Sequence, residues 1–170
     1  MKRFHYLLLA AVLALLTACG GGMSARDYLT ENVAYWNGTT STVQQWTVGP
    51  QSEQLQRALQ EGKGLGTFTF ALGNAQKEMK DRLVSIDQMP PADDAKDLHQ
   101  KLRTYVQTAE ELFGVLLQIA ALPDGYSQEQ IAPMAEKLTA IGERMDVEMQ
   151  SLSDAQDAYA KQHRINLQKH

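Results

Sequence analysis

Between Leu98 and Ile119 the apolar residues Leu98, Leu102, Tyr105, Ala109, Leu112, Leu116 and Ile119 follow one another in steps of four and three. An α-helix, at 3.6 residues per turn, brings such a set to one face, whereas a strand scatters it over both. Val106, Phe113 and Ala120 each sit one residue further on and widen the stripe. A helix with so broad an apolar face is expected to pack inside a bundle. Pro90-Pro91 is expected to open it, because proline lacks only an N–H that a first turn cannot use. Asp93, Asp94 and Asp97 suit the positive end of its dipole, and Pro123-Asp124-Gly125 carries the turn chemistry that ends it.

Three further segments keep the same rhythm, and nothing reads convincingly as strand. Phe68, Leu72, Ala75, Met79, Leu83 and Ile86 make one stripe. Ile131, Met134, Leu138, Ile141, Met145, Met149, Leu152 and Tyr159 make another, opened by Ser127-Gln-Glu-Gln130, a candidate capping box. Unbroken to Gln168, this last helix has about 42 residues and a length of roughly 63 Å. It outruns its neighbours, so its C-terminal end is expected to overhang or bend.

The first segment, from Ser24 to Val48, carries Leu29, Val33, Trp36, Thr40, Val43 and Thr47. It also crosses Asn37-Gly38-Thr39-Thr40-Ser41-Thr42, a run of poor helix formers whose glycine alone costs about 1 kcal/mol against alanine. One continuous helix held by tertiary packing is expected, with a break and a restart at Ser41 as the alternative. Gly49-Pro50 then bends the chain, Ser52 to Gln60 is a further helical stretch, and Glu61-Gly-Lys-Gly-Leu-Gly66 is a flexible turn. Short connections make consecutive helices antiparallel neighbours. The expected fold is therefore all-α: an up-down-up-down four-helix bundle with a long C-terminal helix. The breaks at Gly62–Gly66, Pro90-Pro91 and Pro123–Gly125 favour packing within one chain over a coiled-coil dimer.

The N-terminus carries a different signal. Lys2-Arg3 precede a ten-residue apolar run, Leu7 to Leu16, and Leu16-Thr17-Ala18-Cys19 closes it before Gly20-Gly21-Gly22. The run is well short of the roughly 20 residues that a spanning helix needs. Charge, length and cysteine position resemble a bacterial lipoprotein signal with its lipobox. The resemblance implies a cleaved leader over 1–18, a lipid-modified Cys19 as the first mature residue, and a short glycine-rich tether over 19–23. The bundle then occupies 24–170. Two or three acyl chains on Cys19 would hold the protein stably to a membrane, where one chain holds only marginally. Gly20 in the second mature position, in place of an aspartate, implies the periplasmic face of the outer membrane. The mature domain is similar to small helical-bundle lipoproteins, with no closer family. Cys19 is the sole cysteine, so neither a disulfide framework nor a thiolate metal site is available.

Lys2 and Arg3 leave with the leader, which takes the formal charge from −4 to −6. Nucleic-acid binding is excluded on that ground, since it needs clustered cations to replace phosphate counterions. A di-iron bundle needs Glu-x-x-His pairs, and no glutamate precedes a histidine by three residues here. Covalent haem needs two cysteines beside a histidine. His99, next to Leu98, is either a non-covalent haem ligand working with a methionine or a first-turn histidine bonded to Asp94 or solvent. The methionines fit flexible core filler. No cofactor, no metal and no catalytic constellation is expected, so the chain is not read as an enzyme.

Two sets of residues remain as candidates for partner binding. Trp36 and Trp46 flank the weak run at Asn37–Thr42, and tryptophans on a stripe serve either a core or an interface. Lys161, Arg164 and Lys169 follow Asp157 with no further acid, giving a +3 tail. These cations suit a helix C-terminus or an anionic surface. The expected role is a non-enzymatic structural or protein-interaction module on a lipid anchor in the cell envelope, its membrane contact through Cys19 and its partner an envelope protein. The alternative is a carrier of a small hydrophobic ligand or haem in a bundle cavity.

Overall fold

The computed structural model describes residues 23–166; Cys19, the leader and Lys169 lie outside them. The described residues form α1 (Ala25–Thr47), α2 (Pro50–Glu61), α3 (Thr69–Asp87), α4 (Lys96–Ala120) and α5 (Gln128–Gln162). Single 3-10 turns lie at Leu65–Phe68 and Asp93–Ala95, and no strand occurs among the described residues. The fold is all-α, with four long helices packed as a bundle.

α4 is its centre. Every residue of the expected stripe is buried, and Val106, Thr108, Phe113, Val115 and Ala120 join it. So wide a face serves three neighbours: α4 packs most extensively on α3 and α5 and more lightly on α1. Polar pairs mark the seams. Arg103 Nε donates to Asp87 at 2.8 Å, the Thr108 hydroxyl donates to Glu148 at 3.0 Å, and Arg144 pairs with Glu111.

α1 runs unbroken through Asn37–Thr42. The Thr39 and Thr42 hydroxyls donate back to the carbonyls of Tyr35 and Gly38 at 2.8 and 3.0 Å, so neither competes for a turn. Thr39 is fully buried and accepts the Arg82 guanidinium at 3.1 Å. That guanidinium lies over Gly38, where a Cβ would come within 2.9 Å of it. Tertiary contacts with α3 thus outweigh the poor propensity of the run. Leu29 and Val43 of the expected stripe are buried, but the buried face also takes in Tyr28, Asn32, Thr39, Thr42 and Trp46, whereas Val33, Trp36 and Thr40 are only half-buried.

Two expected boundaries move. Pro90-Pro91 does not open the third long helix; Ala92 is still extended, a 3-10 turn follows, and α4 begins at Lys96. Buried Met89 and Ala95 pin this linker to the core before the helix starts. The long helix stops at Gln162 after 35 residues, about 52 Å, and does not overhang. His163 takes Asp94 at 2.9 Å, Arg164 turns left-handed at φ 55°, and the Ile165 N–H returns to the Ala160 carbonyl at 2.8 Å. Ile165 then packs partly on the core. Burying this side chain and satisfying a terminal carbonyl both favour the turn over further helix. The N-terminal start fares as expected, with the Ser127 N–H donating to the Gln130 side chain at 2.8 Å.

Candidate functional site

α1 and α5 meet near the start of α1 and part further along it. Where they meet, Gln156 Nε2 donates to Asn32 Oδ1 at 2.9 Å, and the rings of Tyr28 and Tyr159 pack edge-on at 5.8 Å. Beyond this contact the two helices become the walls of a cleft of about 480 Å³. Thr40, Val43, Gln44, Trp46 and Thr47 of α1 form one wall, extended by Ser52, Leu55, Gln56 and Leu59 of α2. Leu138, Gly142, Met145, Asp146 and Met149 of α5 form the other. Tyr105, Leu112, Leu116 and Ile119 of α4 make the floor. The volume falls within the range of small-molecule sites, roughly 300 to 1,000 Å³.

Local chemistry holds the walls in place. Trp46 packs edge-on against Phe68 at 6.3 Å. The Ser52 hydroxyl donates to the Thr47 carbonyl at 3.0 Å and fixes the corner between α1 and α2. Tyr126 donates to the Leu59 carbonyl at 2.7 Å, Gly125 N–H to the Gly62 carbonyl at 2.8 Å, and Gly64 N–H to Asp124 at 2.9 Å. Gly62, Gly64 and Gly125 all have positive φ, which a side chain would resist. These bonds tie the far end of α2 to the α4–α5 turn.

The second wall is less covered than its apolar stripe implies. Ile131, Met134 and Leu138 are half-buried and Met149 is 37% exposed, whereas Ile141, Met145, Leu152 and Tyr159 are buried. Gly142 leaves open space: nothing lies within 4 Å of where its Cβ would be. Asp146 is the one charged side chain in the lining. On the floor, the Tyr105 hydroxyl shares a 3.0 Å hydrogen bond with Thr40. Burial pushes Tyr105 above its ordinary value, and the carboxylates of Glu148 and Asp146 push it further the same way.

Of the residues singled out from sequence, only Trp46 belongs to this cleft. Trp36 is half-buried, and its indole N–H is buried without a hydrogen-bond partner. Lys161 and Arg164 are exposed. Lys161 lies 15 residues from Asp146 along α5, about 22 Å away, so these cations and Trp46 do not form one site. Cys19 and Lys169 fall outside the described residues. His99 is absent from the lining. Its ring lies 6.4 Å from that of Tyr28, its Nδ1 is buried without a partner, and burial lowers its pKa. Of the two partners expected for a first-turn His99, Asp94 or solvent, Asp94 is engaged by Gln162 and His163 instead. Among the described residues no three His, Cys, Asp or Glu side chains converge as metal ligands.

Gly142, Asp146, Gln44 and Tyr105 were not legible as site residues. The available signal was a glycine inside a strong helical stripe, with an acid between Met145 and Met149.

The fold and cleft define an all-α bundle with an open apolar groove between two of its helices. Comparison with protein-family models, with curated proteins and with solved structures finds no match for the chain.

Proposed function

We propose that the chain is a non-enzymatic, lipid-anchored protein of the cell envelope that holds a small hydrophobic ligand in the cleft between α1, α2 and α5. The observation that carries this reading is the cleft itself: a concave, mainly apolar space of about 480 Å³ with a few polar groups on its walls. Its floor belongs to the most buried helix, so the site rests on a rigid element. The Cys19 lipobox supplies the anchor, at the periplasmic face of an outer membrane. Among the described residues no helix is long and apolar enough to cross a membrane.

Helix pairings support an up-down-up-down order. Thr39 and Thr42 face Arg82 and Glu78, and Thr108 and Glu111 face Glu148 and Arg144, each pair in opposite sequence sense. Val43 lies 19 residues beyond Ser24, so α1 would carry the cleft about 28 Å from the tether. The site would then open toward the aqueous compartment. The haem reading that rests on His99 gains nothing from this cleft, because His99 is not in its lining.

Gly142→Phe tests the cleft without attacking the fold. The new ring enters open space, and replacing a helical glycine removes a propensity penalty. The wild-type protein is expected to bind the neutral fluorophore N-phenyl-1-naphthylamine saturably, and the variant to lose at least tenfold in affinity with unchanged helical circular dichroism. Equal binding by a well-folded variant would remove the cleft from the reading.

The anchor has its own test. Cys19→Ser is expected to block processing and to abolish incorporation of labelled fatty acid in cells. A mature protein that starts elsewhere and carries no lipid would overturn the envelope assignment.

A further inference from the structure

We infer that the cleft selects amphiphiles with a cationic head, such as an alkylammonium, over those with a carboxylate or phosphate head. This rests on the cleft being a ligand site and adds the charge of its ligand. The lining contains one charged group, the exposed Asp146 carboxylate on α5, and no lysine, arginine or histidine. An anionic head would find no cation to neutralise it and would meet Asp146 directly.

A cation finds the reverse. Trp46 and Tyr105 line the cleft, and aromatic rings attract cations through the ring quadrupole. Gln44 and Thr47 offer side-chain oxygens as acceptors on the opposite wall. The bottom of the cleft is apolar, with Leu112 and Leu116 able to cover an alkyl chain. Glu148, ion-paired with Arg144 and bonded to Thr108, stands outside the lining, so Asp146 alone sets the sign within the cleft. A neutral head is tolerated by this arrangement, and a negative one is not.

Three probes with the same ten-carbon chain separate the possibilities: decylammonium and decanoate below their micelle concentrations, and decanol below its solubility limit. They are titrated into the full chain held in phosphatidylcholine nanodiscs, with tryptophan fluorescence as the readout and the Gly142→Phe protein as blank for partition into lipid. The ammonium is expected to bind roughly fivefold more tightly than the alcohol, the scale of one partly exposed charge pair, and the carboxylate most weakly. Asp146→Asn should erase the gap between ammonium and alcohol, read as the ratio of the two affinities within that variant. Equal binding of all three, or a preference for the carboxylate, overturns the charge selection and leaves the cleft reading standing. An ammonium preference that survives Asp146→Asn overturns the assignment to this carboxylate. No binding of any probe above the blank overturns both.

Discussion

Phe113→Ala should cost about 3–5 kcal/mol, the cost of emptying an aromatic side chain from a core that cannot collapse around it. Phe113 is fully buried on α4, the helix that every long neighbour touches. Leu112, one residue away, tests the boundary between core and cleft. It is also buried, at 5% exposure, but its side chain borders the cleft floor. Truncating it enlarges a space that already opens to water, so Leu112→Ala should fall near the lower end of the 2–5 kcal/mol spread. Gln107 is exposed, and its alanine variant should stay within about 0.5 kcal/mol. Urea unfolding with a constant slope measures all three. An equal cost at Leu112 and Phe113 would mean that Leu112 faces a sealed core and that the cleft floor is misassigned.

α4 and α3 were legible in the sequence because their faces are written almost wholly in apolar residues, with Thr108 the polar member on α4. For α4, the stripe from Leu98 to Ile119 is buried without exception. α1 was legible as an element, but only Leu29 and Val43 of its stripe are fully inside. Its buried face contains Asn32, Thr39 and Thr42, which find partners in Gln156, Arg82 and backbone carbonyls, the Asn32 amide only through its oxygen. Apolar periodicity cannot register a buried polar residue whose partner lies more than a hundred positions away. The end of α5 was misread for a related reason. Nothing near Gln162 is a glycine or proline; the stop depends on Ile165 finding the core and on His163 finding Asp94.

The cleft was the least legible feature. It exists because α1 and α5 touch at one end and diverge at the other, and divergence is a property of packing that no single stripe records. Trp46 stood out only as a tryptophan beside a weak run, a combination that suits a pocket, a hinge or a partner site alike. Asp146 looked like one acid among many on a solvated helix face.

Gln156→Leu should cost about 1–3 kcal/mol although it keeps the side-chain volume. Asn32 and Gln156 are both buried and joined by a single 2.9 Å hydrogen bond, and the Asn32 amide nitrogen already lacks a partner. Removing the donor leaves Asn32 Oδ1 stranded as well, and a buried polar atom without a partner loses its full hydration. Replacing both ends is different. In the double variant Asn32→Leu, Gln156→Leu no amide remains to be satisfied, so its stability should return to within about 1 kcal/mol of the parent or exceed it. The two substitutions therefore couple with opposite sign to their separate costs, and a double-mutant cycle in urea reads that coupling directly.

Tyr28 sits in the same pocket with its hydroxyl buried beside Asn32, and burial, outweighing the opposing pull of the Asn32 side chain, pushes its pKa up to about 12. The parent already carries this desolvation, which leaves room for the apolar pair to gain. What the polar pair supplies is register: it allows one alignment of α1 on α5 at the point from which they diverge. In the double variant the cleft probes should then bind more weakly even as the fold holds. Additive costs from the two single changes would show that the pair is hydrated and sets nothing.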